Sequence, residues 1–440
     1  MKNKCYLKQG LSLIVMLIMG SAVGRAQQPL ELNYKVNLEN EIVRRYMKEV
    51  SYMPGEPSRM NDYKSYGGIV VYHPNPLVID VPYYRTDSLH IVCCDAKTHE
   101  DSIVYDVFTE NNKVTLYNLI PQRTYYYEVK DHGGQLLQKG QILTSGQVRM
   151  IRVDGKAFNV RDLGGMINVD GLRIRYGKLF RGSELNWAYE ATPEGLAMLR
   201  QLGVGAEIDM RSYREAVENQ APSGVSVFGF TNSNNTPAGE VPTYLYTNDS
   251  GMIPSNMDTY LWKYKWRQEF EFIVNNLRQG RGIYYHCILG RDRTGYLSFL
   301  LEGLLGVPYN ELIKDYELSF MFSGIDKKEQ IDETFDFIDN MEGATLRDRF
   351  NSYFRIKLGV SQEDIDFFCA EMLEEVPEEP ENPFTPTTGI TATPQSASSL
   401  RTPCYDLQGR RISDAQPRRG ICVQADGQGG YRKVISSRQR

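Results

Sequence analysis

The chain has 440 residues, with 50 Lys and Arg against 55 Asp and Glu, a formal net charge of −5, 41% hydrophobic and 24% charged residues. That mixture excludes collagenous, coiled-coil and disordered chains, and the length suggests two or three domains. Holding nucleic acid by bulk charge needs many clustered Lys and Arg, so the slightly acidic balance excludes it. Only 7 cysteines are present, which excludes a disulfide scaffold and leaves each thiol to be explained separately.

The N-terminus carries Lys2, Lys4 and Lys8, an apolar stretch from Leu11 to Val23, and then Gly24-Arg25-Ala26, a small-x-small pattern. Residues 1–26 read as a secretory signal peptide cleaved after Ala26. The apolar run is too short to cross a hydrocarbon core about 30 Å thick. No cysteine follows it for lipidation, since Cys5 precedes it. The expectation is an exported protein, periplasmic, cell-surface or secreted, with no integral membrane segment once the signal is removed.

Residues 27–67 form an N-terminal lead-in without a clear module, with one helical stretch around Glu39 to Lys48. From 68 to 146 the pattern changes to short alternating runs, IVVYH, LHIVCCD, SIVYDVF, KVTLYNL, TYYYEVK and QILTS. Six strands with turn signals between them predict an all-β sandwich. The run LIPQRTYYYEV from Leu119 to Val129 resembles the fibronectin type III pattern. It puts Tyr125, Tyr127 and Val129 on one face. The resemblance implies that Tyr125 is a corner tyrosine whose hydroxyl ties loop to strand. A spacer packed on its neighbour is favoured over an adhesion module.

From 147 to 375 strand-like runs (IRVDG, LFRGS, GAEIDM, GIYYHC) alternate with helical ones, predicting an α/β domain with a central sheet flanked by helices. Residues 376–400 are rich in Pro, Ser and Thr and read as a semi-rigid linker. Residues 401–440, with 9 basic and 3 acidic side chains, predict a small β hairpin module. Through YDLQGRR and RRGICV this tail resembles C-terminal domains used for secretion or surface sorting in some Gram-negative bacteria.

The most informative ten residues are His286 to Gly295, HCILGRDRTG. A short strand, Gly282 to His286, runs into a tight loop, and an apolar helix from Thr294 to Gly306 follows. Strand, loop and helix N-terminus gather backbone N–H groups and the positive end of a helix dipole around a concavity, which makes an anion cradle. Cys287 sits at its entrance, where the dipole and the arginines favour the thiolate, a nucleophile for phosphorus. Arg293, six residues on, can grip two phosphate oxygens with its planar fork. Gly290 and Gly295 permit close backbone approach, and the Thr294 hydroxyl can hydrogen-bond the sulfur. His286 and Cys287 are adjacent strand residues on opposite faces, so they cannot act as a protease nucleophile and base pair. His286 orients the loop instead. The 5 histidines show no ligand spacing, so neither a metal nor another cofactor is expected.

HCILGRDRTG resembles the phosphate-binding loop HCxxGKDRTG of the bacterial protein tyrosine phosphatase family, which includes secreted enzymes acting on phosphotyrosine and phosphoinositides. Four further stretches agree in order: NVRDLGG at Asn159 to Gly165, KLFRGSEL at Lys178 to Leu185, EIDMRSYREA at Glu207 to Ala216 and DYELS at Asp315 to Ser319. The resemblance implies Cys287 as nucleophile, Asp292 as general acid and Arg293 as phosphate binder. It implies Ile288, Leu289, Gly290, Arg291, Thr294 and Gly295 as the rest of the phosphate-binding loop. Arg291 departs from the family lysine, keeping charge but changing reach.

A mobile-loop acid, Asp249 or Asp258 in the Gly-, Pro- and Asn-rich stretch 232–258, is the alternative to Asp292, and that stretch can serve as a lid. Asp209, Arg211 and Glu215 are expected to form a supporting salt-bridged network, with Arg161 and Asp162 lining the cleft or, for Asp162, turning the glycine loop. The expected activity is metal-free hydrolysis of phosphomonoesters. Phosphotyrosine in a protein is the leading substrate and a phosphoinositide or inositol phosphate the alternative. The rival of another class is a non-catalytic phosphate-binding or adhesion protein.

Overall fold

Alternating inward and outward side chains build the N-terminal half of the molecule. The computed structural model describes residues 28–53, 55–63, 73–81, 88–109, 112–218, 226–231, 239–249, 257–322 and 328–376, and the backbone of three short strands beyond residue 400. The expected signal peptide, the linker and nearly all of the IVVYH run lie outside the described residues. In the strand Thr124–Lys130, Tyr125, Tyr127 and Val129 are fully buried while their neighbours are half-exposed, a period of two. It pairs antiparallel with Leu89–Asp95 on one side and Leu136–Ser145 on the other, and Ile103–Val107 forms the edge. Tyr125 accepts the Ile120 N–H at 2.8 Å through its hydroxyl, tying loop to strand.

A separate antiparallel ladder joins Leu77–Asp80 to Lys113–Leu116. Its inward residues Leu77, Ile79, Val114 and Leu116 share one buried cluster with Ile91, Tyr105 and Tyr125. The strand Leu77–Asp80 escapes sequence reading because only four residues carry it between Pro76 and Pro82. Among the described residues the region is therefore β-rich, with one six-stranded sheet and one two-stranded ladder.

The lead-in is more structured than expected. Leu30–Glu31 and Tyr34–Asn37 add in parallel to Leu136–Ser145. The helix Glu41–Glu49 follows, capped by Asn40, whose side chain accepts the Ile42 N–H at 2.9 Å. Val43, Tyr46 and Met47 form its buried stripe. Lys314 donates to Met47 O at 2.8 Å and Asn310 accepts the Tyr52 N–H at 2.6 Å, so the lead-in is fastened to the helix Tyr309–Phe322.

The α/β region has a five-stranded sheet in the order Tyr244–Tyr246, Val204–Asp209, Gly282–His286, Leu179–Gly182, Arg161–Asp162. The first four are parallel and the last is antiparallel. The central strand GIYYH is buried along its whole length, as a strand covered on both faces must be. The helices Tyr260–Leu277 and Asp292–Leu304 pack on it. The second of these starts two residues earlier than the sequence predicts, which puts Asp292 and Arg293 in its first turn. Beyond residue 384 a separate unit contains Cys404–Tyr405, Gly420–Ala425 and Tyr431–Ser436 as a three-stranded antiparallel sheet.

The β-rich and α/β regions share a core. Ile151, Val153, Phe180 and Tyr284 belong to the same buried cluster as the β-strand residues. At the joint, Arg149 donates to the Asp162 carboxylate at 2.9 Å and to the carbonyls of Asn118 and Leu119, with both charged side chains nearly free of solvent. Asn118 in turn exchanges two hydrogen bonds with the backbone of Arg152, at 2.7 and 2.9 Å. The β-rich region is thus packed on its neighbour. Replacing Arg149 by Ala strands a buried carboxylate and is expected to lower the unfolding free energy by about 3 kcal/mol. In a denaturant titration the two regions should unfold in one transition. A loss under about 1 kcal/mol, or two separate transitions, would contradict the shared core.

Candidate active site

The strand Gly282–His286 ends in register with Asp209 on one side and Gly182 on the other, and the chain then turns through 287–291 into the helix Asp292–Leu304. Every carbonyl from His286 to Gly290 is taken by the scaffold. His286 O accepts from Met210 N–H at 2.9 Å, and Ile288 O from Glu184 N–H at 2.9 Å. Cys287 O faces His286 Nδ1 at 3.0 Å. The Asn159 amide reaches Leu289 O at 3.2 Å and Gly290 O at 2.9 Å, and Arg181 Nη2 reaches Gly290 O at 3.0 Å. A trans peptide sets its N–H opposite its C=O, so the N–H groups of residues 288–291 turn away from these partners. With the first turn of the helix they make a cradle of donors at the positive end of the helix dipole. Gly290 has φ of 63°, and a Cβ there would lie 2.2 Å from the carbonyl of Gly182, so no side chain fits.

Cys287 is 2% exposed. Burial pushes its thiol up, but the Arg293 guanidinium and the hydroxyl and N–H of Thr294 outweigh burial, and the net direction is down. Arg293 has five N–H donors. Its Nη1 reaches Met210 O at 2.9 Å and Glu215 Oε2 at 2.7 Å, and its Nη2 reaches Glu215 Oε1 at 3.1 Å. The hydrogens left over, on Nε and Nη2, lie along one edge of the fork, and Nε is buried without a partner. That edge matches two oxygens of a phosphate. Both ring nitrogens of His286 face acceptors, Cys287 O and Glu207 Oε1, each at 3.0 Å. Burial pulls the imidazole down, but Asp209 and the hydrogen bond the ring donates to Glu207 raise it overall, which favours the doubly protonated ring.

Asp292 opens the helix and receives Arg291 Nε and Nη2 on one oxygen at 3.1 and 3.0 Å. Its side chain is 17% exposed, so it reaches solvent at the cradle's edge. Arg291 also lies over the Phe320 ring at 5.2 Å. Ile288 and Leu289 are half-buried, and Thr294 and Gly295 are buried at the start of the helix. The alternative acids are tied elsewhere. Asp249 is buried and receives Lys265 Nζ at 2.6 Å, and Asp258 is held by Lys263 and Lys357 at 2.6 and 2.7 Å. Most of the rest of the expected lid, 232–238 and 250–256, lies outside the described residues.

The supporting residues differ in part from expectation. Asp209 grips Arg211 with both oxygens, and Arg211 continues to Glu184 at 3.0 Å and Asn186 at 2.7 Å, all three charged groups fully buried. Glu215 is not in that network, because Ser212 N–H holds its carboxylate at 2.7 Å and turns it to Arg293. Arg161 and Asp162 do not line the cleft. Arg161 is buried behind the loop on Asp315 at 3.0 Å and Ser319 at 3.1 Å. Asp162 holds the glycine turn through the N–H of Gly164 at 2.9 Å and Gly177 at 2.7 Å, and burial keeps its carboxyl above the usual range.

Five further residues that sequence reasoning left without a role, Asn159, Arg181, Glu184, Glu207 and Asp315, do much of the holding. Arg181 takes the second oxygen of Asp315 at 2.7 Å, and Glu207 accepts from Ser226 and Val227 as well as from His286. Their signal was available, since all stand in the four stretches flanking the loop motif. Among the described residues no group of three or more His, Cys, Asp or Glu can hold a metal.

Comparison with known proteins gives the same picture. A protein of Cupriavidus necator provisionally named a tyrosine-protein phosphatase is 27% identical over 164 residues, 36% of this chain and 59% of its own. The triple specificity protein phosphatase PtpB of Mycobacterium tuberculosis is 28% identical over 188 residues, 36% of this chain and 66% of its own. The chain thus spans less than two thirds of either curated relative. The crystal structure of a human tyrosine phosphatase-like serine/threonine/tyrosine-interacting protein aligns with 41% of this chain and 93% of its own, at 17% identity and a TM-score of 0.24, too distant to bear on the fold. The model of the tyrosine phosphatase family matches residues 152–374, just over half of the chain. On that match and the motifs it contains, the chain belongs to the tyrosine phosphatase family.

Proposed function

We propose that this protein is an exported cysteine-dependent phosphatase that hydrolyses phosphomonoesters, phosphotyrosine foremost, through a cysteinyl-phosphate intermediate. The observation that carries the reading is the open Nε and Nη2 edge of Arg293 beside a thiol held below its ordinary range. In the first step Cys287 Sγ attacks phosphorus, the P–O bond to the leaving group breaks, and protonated Asp292 gives its proton to the departing oxygen. In the second, the Asp292 carboxylate takes a proton from water, the oxygen of that water attacks phosphorus, and the S–P bond breaks to return the thiolate and inorganic phosphate. Arg293 and the loop N–H groups neutralise the equatorial oxygens throughout.

A second reading, phosphoinositides or inositol phosphates, is favoured by Arg291, a second loop cation two residues from Arg293. The signal-like residues 1–26 support export, and the turn between Ile120 and Tyr125 supports a fibronectin type III-like spacer.

Metal-independent turnover of an aryl phosphate by the wild type and its loss by at least about a thousandfold in Cys287→Ser are the expected results. No turnover in a folded wild type overturns the reading. For Asp292→Asn, rates on a series of aryl phosphates should fall with leaving-group basicity, and a parallel series for both proteins reassigns the acid. The thiol should also be alkylated by iodoacetate with a midpoint below the ordinary value of about 8.5. Because Thr294 helps hold the thiolate, Thr294→Val moves that midpoint up, and an unmoved midpoint removes Thr294 from the account.

A further inference from the structure

The edge that Arg293 presents depends on how Glu215 holds the rest of its guanidinium, and Glu215 stands on a turn that is itself held from outside. Ser212 N–H donates to Glu215 Oε2 at 2.7 Å, and Glu215 N–H donates back to Ser212 Oγ at 3.3 Å. Between them, the Tyr213 N–H donates at 2.7 Å to Asn248 Oδ1. Asn248 follows the edge strand Tyr244–Tyr246, and the Tyr246 hydroxyl reaches the same oxygen at 3.3 Å.

Asn248 is itself pinned. Its φ of 51° lies in the left-handed region, which Asn tolerates better than most residues. Its carbonyl accepts from Lys265 Nζ at 2.6 Å, and the same ammonium holds the next residue, Asp249, at 2.6 Å. Lys265 is buried in the helix Tyr260–Leu277. One turn on, Glu269 is fully buried with no hydrogen-bond partner on either oxygen, and burial and the nearby Asp249 raise its carboxyl well above the usual range. A continuous set of contacts therefore runs from the helix through Lys265, Asn248, Tyr213 and Ser212 to Glu215 and Arg293.

We propose that Asn248 is a positioning residue for this active site: by holding the Ser212–Glu215 turn it aims Glu215, and through Glu215 it sets the edge that Arg293 offers to phosphate. Asn248 is exposed and its hydrogen bonds run to Tyr213, Tyr246 and Lys265, so its effect falls on anion binding rather than on the nucleophile. The inference rests on the phosphatase reading.

The test uses the full chain and inorganic phosphate, and reads how much phosphate halves the rate at which iodoacetate alkylates Cys287, a measure that needs no turnover. Asn248→Gly keeps the left-handed backbone and removes the acceptor. It should require roughly three- to tenfold more phosphate than wild type, the worth of one hydrogen bond. The same variant should raise KM for an aryl phosphate by a similar factor with kcat within about twofold. Asn248→Asp, which keeps the acceptor, should bring both back towards wild type. In a Glu215→Gln background Asn248→Gly should add little, because the contact it acts through is already weakened. An unchanged phosphate requirement in Asn248→Gly, or penalties that multiply in the double variant, overturns the inference while leaving the phosphatase reading intact. A wild type whose alkylation phosphate does not slow overturns the cradle and this inference together.

Discussion

The structure turns on the fate of five carbonyl oxygens. A tight loop that exposed its carbonyls to the concavity would repel an anion, and the same loop with its carbonyls engaged behind it offers only donors. Here Met210, His286, Glu184, Asn159 and Arg181 take the carbonyls of residues 286 to 290. The four stretches that accompany the loop in sequence are therefore its mount. NVRDLGG supplies Asn159 and KLFRGSEL supplies Arg181 and Glu184. EIDMRSYREA supplies Glu207, Met210 and Glu215, and DYELS supplies the carboxylate that holds two arginines.

That mount is built from buried charge, which is expensive unless every partner is met. Asp315 meets Arg161 and Arg181 with separate oxygens, and Arg211 meets Asp209 and Glu184. Such networks add little net stability, but they admit few alternative arrangements, and a cradle that must fit one tetrahedral anion gains from that restriction. Arg181 at Nε, Glu184 at one carboxylate oxygen and Arg293 at Nε each keep a buried atom unmet. A buried donor without a partner is costly in the free protein, and at Arg293 that cost is relieved when a phosphate arrives.

Sequence reading reached the loop because strand, Cys287, Gly290 and helix start lie within ten contiguous residues, where local geometry follows from local pattern. The central strand Gly282–His286 falls where it was expected, and the Tyr125 hydroxyl accepts the Ile120 N–H. Long-range pairing was not legible. Nothing in the spacing of Asp209, Arg211 and Glu215 tells which arginine Glu215 will meet, since that depends on how the turn after the strand folds back over the helix start. In the lead-in the helix is legible, falling at Glu41–Glu49 within a residue or two of the expected stretch, but its two short strands carry little periodic signal until the sheet edge is in place to receive them.

The cysteines carry the same lesson. Cys93 and Cys369 are held above the ordinary thiol range by burial, whereas Cys287, more deeply enclosed than Cys369, is turned the other way by Arg293 and Thr294. Burial alone makes a thiol inert, and donors around it favour the thiolate. The central claim, that Cys287 takes the phosphoryl group, is tested most directly by mixing the enzyme with an aryl phosphate, quenching in acid within milliseconds and locating phosphate by mass spectrometry. The account predicts phosphate on the sulfur of Cys287 at early times, decaying as inorganic phosphate appears. Turnover with no phosphorylated cysteine at any time, or phosphate on another side chain, would contradict it.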